Sequence, residues 1–262
     1  MKNQLSGILI LISLLLSGNI FGQSLRLRQN EAFRTSEVLE YRVHYGMIDA
    51  GEARLEVAPE IKQIGTRRCY QVIGTGRSTG AFDWFFKVRD HYESFIDSGA
   101  IVPWLFIRRI DEGGYKKKQN VSFNHSKKTA TSEKKTIQTP DHVQDLLSAF
   151  YYARTIDFGS ASVGDTFLIN TYLDDETFPM VIKYVGKETI KTKAGEFRCL
   201  VFKPYLLEGR VFKESEGMTI WISDDKNRIP VRAQAEVLVG SIKMDLKGYS
   251  GLANPLAIVK AK

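Results

Sequence analysis

The sequence predicts a mainly β protein, a curved antiparallel sheet or incomplete β-barrel with one principal helix packed on it. Three observations carry this. Apolar and polar residues alternate in many short runs, clusters of Gly, Asn and Asp separate the runs at close spacing, and one segment alone switches to helical spacing.

The chain opens with an export signal: Lys2 supplies a positive start, Ile8 to Leu16 is apolar apart from Ser13, and small polar residues follow, with cleavage expected near Gly22. Residues 1–22 are therefore read as a signal peptide and 23–262 as a single β-rich domain. The apolar stretch is far short of the ~20 residues that span a bilayer, and no later segment is long and apolar enough to cross one. The protein is expected to be periplasmic or secreted, of Gram-negative type, and not membrane-spanning once the signal is removed. A lipid anchor is disfavoured because the first cysteine is Cys69.

In "VLEYRVHYG", Leu39, Tyr41, Val43 and Tyr45 face one way while Glu40, Arg42 and His44 face the other, the pattern of a half-buried strand. After "GMIDAG" the alternation resumes with Ala53, Leu55 and Val57, which makes the pair a hairpin. Further strands are read at "CYQVIGTG", "WFFKVRDHYESFI", "WLFIRRI" and "KKQNVSFN", and then, beyond the helix, at "TFLINTYL", "MVIKYVGKETI", "FRCLVFKPYL", "MTIWIS", "VRAQAEVLV" and "IKMDLKGY". The helix is expected near 140–157: Thr139 can cap it, Pro140 suits a first helical position, and Val143, Leu146, Leu147, Phe150 and Arg154 recur at helical spacing. The apolar face changes parity at Gly240, where a bulge or tight turn re-aims the chain and lets the sheet curl.

Chemistry-bearing patterns are sparse. Asp224 and Asp225 lie in "DDKNR" between two strand-like runs, which reads as a polar hairpin corner, since paired acid and base carboxylates need environments that separate their pKa values. Asp174 to Glu176 lack the alternating ligands and Gly of a calcium loop, so a solvated hairpin tip is expected there. The four histidines are scattered without HExxH, and neither GxSxG nor SxxK occurs. No catalytic residue, metal ligand or cofactor is therefore assigned, and the balance leans against an enzyme. Its alternative is an envelope hydrolase whose site is assembled from separated strands.

The formal net charge is +7, much of it in lysine clusters at 116–118, 127–128 and 134–135. These interleave few aromatics, which argues against a nucleic-acid partner and for charged hairpins that discourage edge pairing. Cys69 and Cys199 both sit in strand-like runs, and an oxidising compartment would allow them to pair; two separately buried thiols fit the pattern equally.

The residues that invite a functional reading are aromatic. "GAFDWFFKV" places Phe82, Trp84, Phe85 and Phe86 almost consecutively, and "PWLFI" adds Trp104 and Phe106. Neighbouring rings on a strand fall on both faces, so the second face is either covered by the helix or lines a cavity or contact surface. On the functional reading, Trp84, Phe86, Trp104, Phe106 and Phe150 line the interior, and the partner is an apolar small molecule or an envelope protein.

"EVLEYRVHYGMIDAGEARLEV", "DHYESFID" with "VPWLFIRRIDEGGYKKKQNVSFN", and "TIWISDDKNRIPVRAQAEVLVGSIKMDL" together resemble the exported bacterial proteins grouped as domain of unknown function 3108. The resemblance covers most of the mature chain. It implies a β-rich periplasmic or envelope protein with no established activity and no functional residues to carry over. A curved sheet with a helix against it is also similar to the lipoprotein-carrier architecture, a cradle for acyl chains.

Overall fold

The computed structural model describes residues 25–206, 217–238 and 240–259. The expected signal peptide lies outside them. Among the described residues, fifteen strands form one open sheet whose ladders are all antiparallel.

The chain enters at the middle of this sheet. β1 (Val38–Tyr45) and β2 (Ile48–Val57) form the expected hairpin around Gly46, whose φ of +55° is the left-handed conformation such a turn needs. A three-residue strand, β3 (Lys62–Ile64), leads into β4 (Arg67–Ser78), which pairs with both β2 and β3. A meander then runs through β5 (Arg89–Asp97), β6 (Pro103–Glu112), β7 (Tyr115–Asn124), β8 (Thr129–Thr131) and β9 (Thr136–Gln138). The second half comprises β10 (Thr166–Leu173), β11 (Glu176–Thr192), β12 (Gly195–Leu206), β13 (Met218–Ser223), β14 (Pro230–Glu236) and β15 (Ser241–Ser250), and β15 closes back on β1. The parity change at Gly240 is a tight turn between β14 and β15, closed by Val237 N donating to Gly240 O at 3.1 Å.

The sheet curls because its ladders slip. Bulges fall at Glu40/Tyr41, Val43/His44, Phe95/Ile96, Tyr184/Gly186 and Trp221/Ile222, and each adds local twist and bend. The curl brings the two edges near one another without a shared ladder. Val143 and Tyr172 pack with Phe106, Val121, Phe123 and Ala130, and the Phe123 and Tyr172 rings meet edge-on at 5.4 Å. Gln144 N donates to Asn170 O at 2.8 Å and Gln144 O accepts from Tyr172 N at 2.7 Å, so one short stretch of chain stitches the edge strand β10.

Two expectations are corrected here. The helix near 140–157 is α2 (Leu146–Arg154), nine residues long. Residues before it are extended, His142 has a φ of +56°, and Val143 and Gln144 are committed to β10 rather than to a helical face. Asp145 caps instead of Thr139: its carboxylate accepts from Ser148 N at 2.8 Å while Asp145 N donates to Ser148 Oγ at 2.8 Å. The run "WFF" is not a strand. Phe82–Phe85 form a short helix, α1, because Asp83 is drawn back onto Ser78 Oγ at 2.6 Å and Arg89 Nη1 at 2.7 Å, which turns the rings outward.

α2 lies in the trough of the curved sheet. Leu147 and Tyr151 pack against Val57, Val72, Ile96 and Ile101 of the first half, while Ala149 packs against Ile169, Ile182, Leu200 and Phe202 of the second. Each fully buried side chain of this size contributes about 1.5–3 kcal/mol.

Two polar turns that read as solvated are partly interior. Asp174 and Asp175, with φ of +53° and +63°, make a tight two-residue hairpin turn. The Asp174 carboxylate pairs with Arg108 at 2.9 Å and with Lys117, and buried Asp175 accepts from Tyr172 Oη at 2.6 Å and Gln119 Nε2 at 3.2 Å. "DDKNR" is a hairpin corner, as expected, but one built around Asp225, whose carboxylate gathers Asn227 N, Ser223 Oγ and Ala257 N.

Cys69 and Cys199 are free, buried thiols, so the disulfide alternative is set aside. Each donates to a carbonyl two residues away on its own strand, Arg67 O and Phe197 O, and burial pushes each thiol up to about 12. At neutral pH they behave as small apolar side chains.

Candidate apolar binding site

Between α2 and strands β10 to β13 lies a cavity of about 280 Å³, near the lower end of the range for small-molecule sites. α2 supplies Leu146, Ala149, Phe150 and Ala153, and the facing strands supply Ile169, Met180, Phe202 and Ile220 among others. Period two does the positioning. In β11 the even residues Phe178, Met180 and Ile182 face the cavity, as do Met218, Ile220 and Ile222 of β13. Direct cross-strand partners share a face, and Ile169 with Met180, Ile182 with Pro204, and Phe202 with Ile220 are three such pairs.

The polar lining consists of Thr171 and two arginines at the end where α2 finishes, Arg154 and Arg228. Arg154 is fully engaged. It grips Glu37 at 2.6 and 2.8 Å, donates to Asn227 O at 2.9 Å and to Ala32 O at 3.1 Å, and its guanidinium stands 5.0 Å from the Tyr151 ring centre. Burial opposes its charge, but the Glu37 carboxylate offsets this and holds the guanidinium pKa above its ordinary value. Arg228 is less committed: Nη1 donates to Arg154 O at 3.2 Å, and Nη2 lies 3.5 Å from exposed Asp157.

Of the five aromatic residues expected to line the interior, the structure brings one, Phe150, to the cavity. Trp84 is 91% exposed on α1, and Phe86 is half exposed with its ring over Gly113. Trp104 is tied down by its Nε1 donating to Asp97 Oδ2 at 3.0 Å and by edge contact with His125 at 5.2 Å. Phe106 is buried in a close-packed cluster, stacked on Tyr92 at 6.3 Å. The lining residues that were missed are mostly aliphatic, with Phe158, Phe178 and Phe202 among them; the even-numbered runs in β11 and β13 carried the available signal.

None of the four histidines lines the cavity. His44, on the outward face of β1 as expected, is nevertheless buried: its Nε2 meets Asp245 at 3.2 Å and its Nδ1 meets Gly46 O at 2.7 Å. Asp245 is also gripped by Arg232 at 2.5 and 2.8 Å, so this trio is a closed structural link across β1, β15 and β14. Burial lowers the His125 pKa, and the ring is fixed by Pro103 O at 2.7 Å.

The family model for DUF3108, described as a protein of unknown function, matches residues 40–247. The chain belongs to this family. No curated protein matches the sequence. Among solved structures, this DUF3108 chain is similar to a beta-barrel-like protein of domain of unknown function DUF1849 from Brucella abortus, with a TM-score of 0.54 and 10% identity over 84% of this chain and 99% of that one. At that identity the likeness concerns the fold: a barrel-like sheet, here left open. Weaker similarity extends to a protein from Parabacteroides distasonis described as a lipoprotein, with a TM-score of 0.37 and 12% identity, covering 87% of the DUF3108 chain and 100% of its own. An exported protein with YmcC-like fold from Bacteroides fragilis gives a TM-score of 0.35 and 10% identity, with 87% and 100% covered.

Proposed function

We propose that this protein is an exported, non-catalytic binding protein of the cell envelope that holds an apolar, acyl-like ligand between α2 and β10 to β13. The observation that carries the reading is the cavity lining, which is aliphatic and aromatic apart from Thr171, Arg154 and Arg228. Each methylene moved from water into such a lining contributes about 0.8 kcal/mol, and an apolar cavity of this kind excludes water rather than ordering it. Arg228 sets a positive charge at one end, which favours a ligand whose polar end is anionic. Export is supported by the leader built from Lys2 and Ile8 to Leu16.

The test is denaturing solvent extraction and mass spectrometry of protein purified from its own compartment, beside the variant Ala153→Phe, which fills the cavity. Acyl-chain compounds are expected from the native protein and at least about tenfold less from the variant, since a methylene-sized change alone is worth about 1–3 kcal/mol in an apolar pocket. Repeated recovery of empty native protein would overturn the reading.

A further inference from the structure

We propose that one end of the sheet, formed by the β14–β15, β1–β2, β4–β5 and β6–β7 connections, is a membrane-contact rim that seats in the interface of a bilayer containing anionic phospholipid. The strand order makes these connections consecutive neighbours on one end. Short contacts join them. A Cβ on Gly240 would lie 3.0 Å from Tyr45 Oη, Thr79 N donates to Ala50 O at 3.0 Å, and Gly113 N donates to Lys87 O at 2.8 Å.

Every one of these connections exposes a large apolar side chain. Leu238 and Met47 stand in solvent at the first two, Met47 at 95%; Trp84 and Phe85 of α1 follow at 91% and 89%, and Tyr115 opens β7 at the fourth. Isolated exposed apolar residues are ordinary, but a row of them along one end is not. The residue types match a bilayer boundary, where Trp and other aromatic rings settle at the headgroup level and apolar side chains insert roughly 5–10 Å.

Geometry favours a fluid partner over a second protein. The tips sit two strands apart, about 10 Å, and each exposes one or two large side chains, whereas a stable protein interface needs ~1,000 Å² of continuous complementary surface. Cations stand next to the apolar tips: Lys87 adjoins the rings, and Lys118 and Lys243 flank the neighbouring strands without an ion pair among the described residues. Asp49, Asp83 and Asp111 at this end are held by Arg42, Arg89 and Lys116, while Glu236 and the Asp90 and Glu112 pair remain as local acidic groups. Basic residues near a surface bearing anionic lipid contribute about 1 kcal/mol each.

The inference does not depend on the cavity, and its test is separable. The purified protein is floated with phosphatidylglycerol/phosphatidylethanolamine vesicles and with phosphatidylcholine vesicles, beside Trp84→Ser/Phe85→Ser. Both rings are solvent-exposed, so the double variant keeps the wild-type circular dichroism spectrum. The expected result is flotation with the anionic vesicles, a blue-shifted Trp emission quenched by brominated acyl chains, and at least about tenfold weaker partitioning of the double variant, while Ala153→Phe floats like wild type. No flotation of the wild type, or equal flotation of the double variant, would overturn the proposal. So would a concentration-dependent dimer in sedimentation that the same substitutions abolish while vesicles go unbound, because the rim would then meet a second copy of the chain.

Discussion

Arg154 and Glu37 form a two-pronged ion pair in the interior, with Nη1 to Oε1 at 2.6 Å, Nη2 to Oε2 at 2.8 Å, and side chains only 2% and 0% exposed. The pair joins the last turn of α2 to the segment before β1, and the same guanidinium reaches the β13–β14 corner through Asn227 O. A cation at a helix C-terminus is also favourable for the helix. Removing one partner of such a pair strands a buried charge at a cost of about 3–5 kcal/mol. Arg154→Met is therefore expected to lower the unfolding free energy by that order, and the urea midpoint with it, whereas Arg154→Lys, which keeps the charge without the fork, loses less. A midpoint for Arg154→Met equal to wild type would show that Glu37 finds another partner or water.

The α2 cap introduces a pH dependence. Burial pushes the Asp145 carboxyl up to about 6 from an ordinary 3.8, against hydrogen bonds from Ser148 and Ser94 that favour the ion. A raised folded-state pKa means the native state binds the proton more tightly than the unfolded chain. The associated stability is complete below about pH 4 and is lost as pH rises through about 6. Asp145→Asn keeps the acceptor for Ser148 N and is expected to flatten this part of the profile, gaining up to roughly 3 kcal/mol at neutral pH. Urea midpoints at several pH values between 4 and 8 decide it, and an unchanged slope in the variant would refute the assignment.

Both thiols are expected to be silent. Ellman's reagent should find none in the native protein at pH 7 and two per chain after unfolding, and reductant should leave the melting temperature where it was, because Cys69 and Cys199 are buried and free. A melting temperature that falls on reduction would reveal a disulfide instead.

Asp225 is expected to hold the end of the chain in place. Its Oδ2 accepts from Ala257 N at 2.7 Å and its Oδ1 from Asn227 N at 2.8 Å, while Asn227, itself buried, receives Asn254 N at 2.8 Å. Hydrogen bonds to a charged group are worth about 1.5–3 kcal/mol each. Asp225→Ala should accelerate amide exchange at residues 254–257 before it affects α2. Uniform acceleration across the sheet would mean that the corner belongs to the global unfolding unit.

The sequence by itself determined most of the strands, most of the hairpins and the family. Alternation is local chemistry: successive Cβ atoms point to opposite faces, so "VLEYRVHY" declares its buried side wherever the strand is placed. The three-residue strands β3, β8 and β9 escaped because so short a run shows no period. Only the tertiary structure decided which apolar faces close-pack and which leave a gap. Phe106 and Phe150 look alike in sequence, yet one is packed beneath Val143 and Tyr172 while the other borders open space. The same holds for the start of α2, where the sequence pointed to Thr139 as the cap and the stitching of Gln144 to β10 moved the start to Asp145. A cavity, a cap chosen by a distant strand and a thiol kept from its partner all depend on surfaces far apart in the chain, and no pattern confined to neighbouring residues encodes the distance between them.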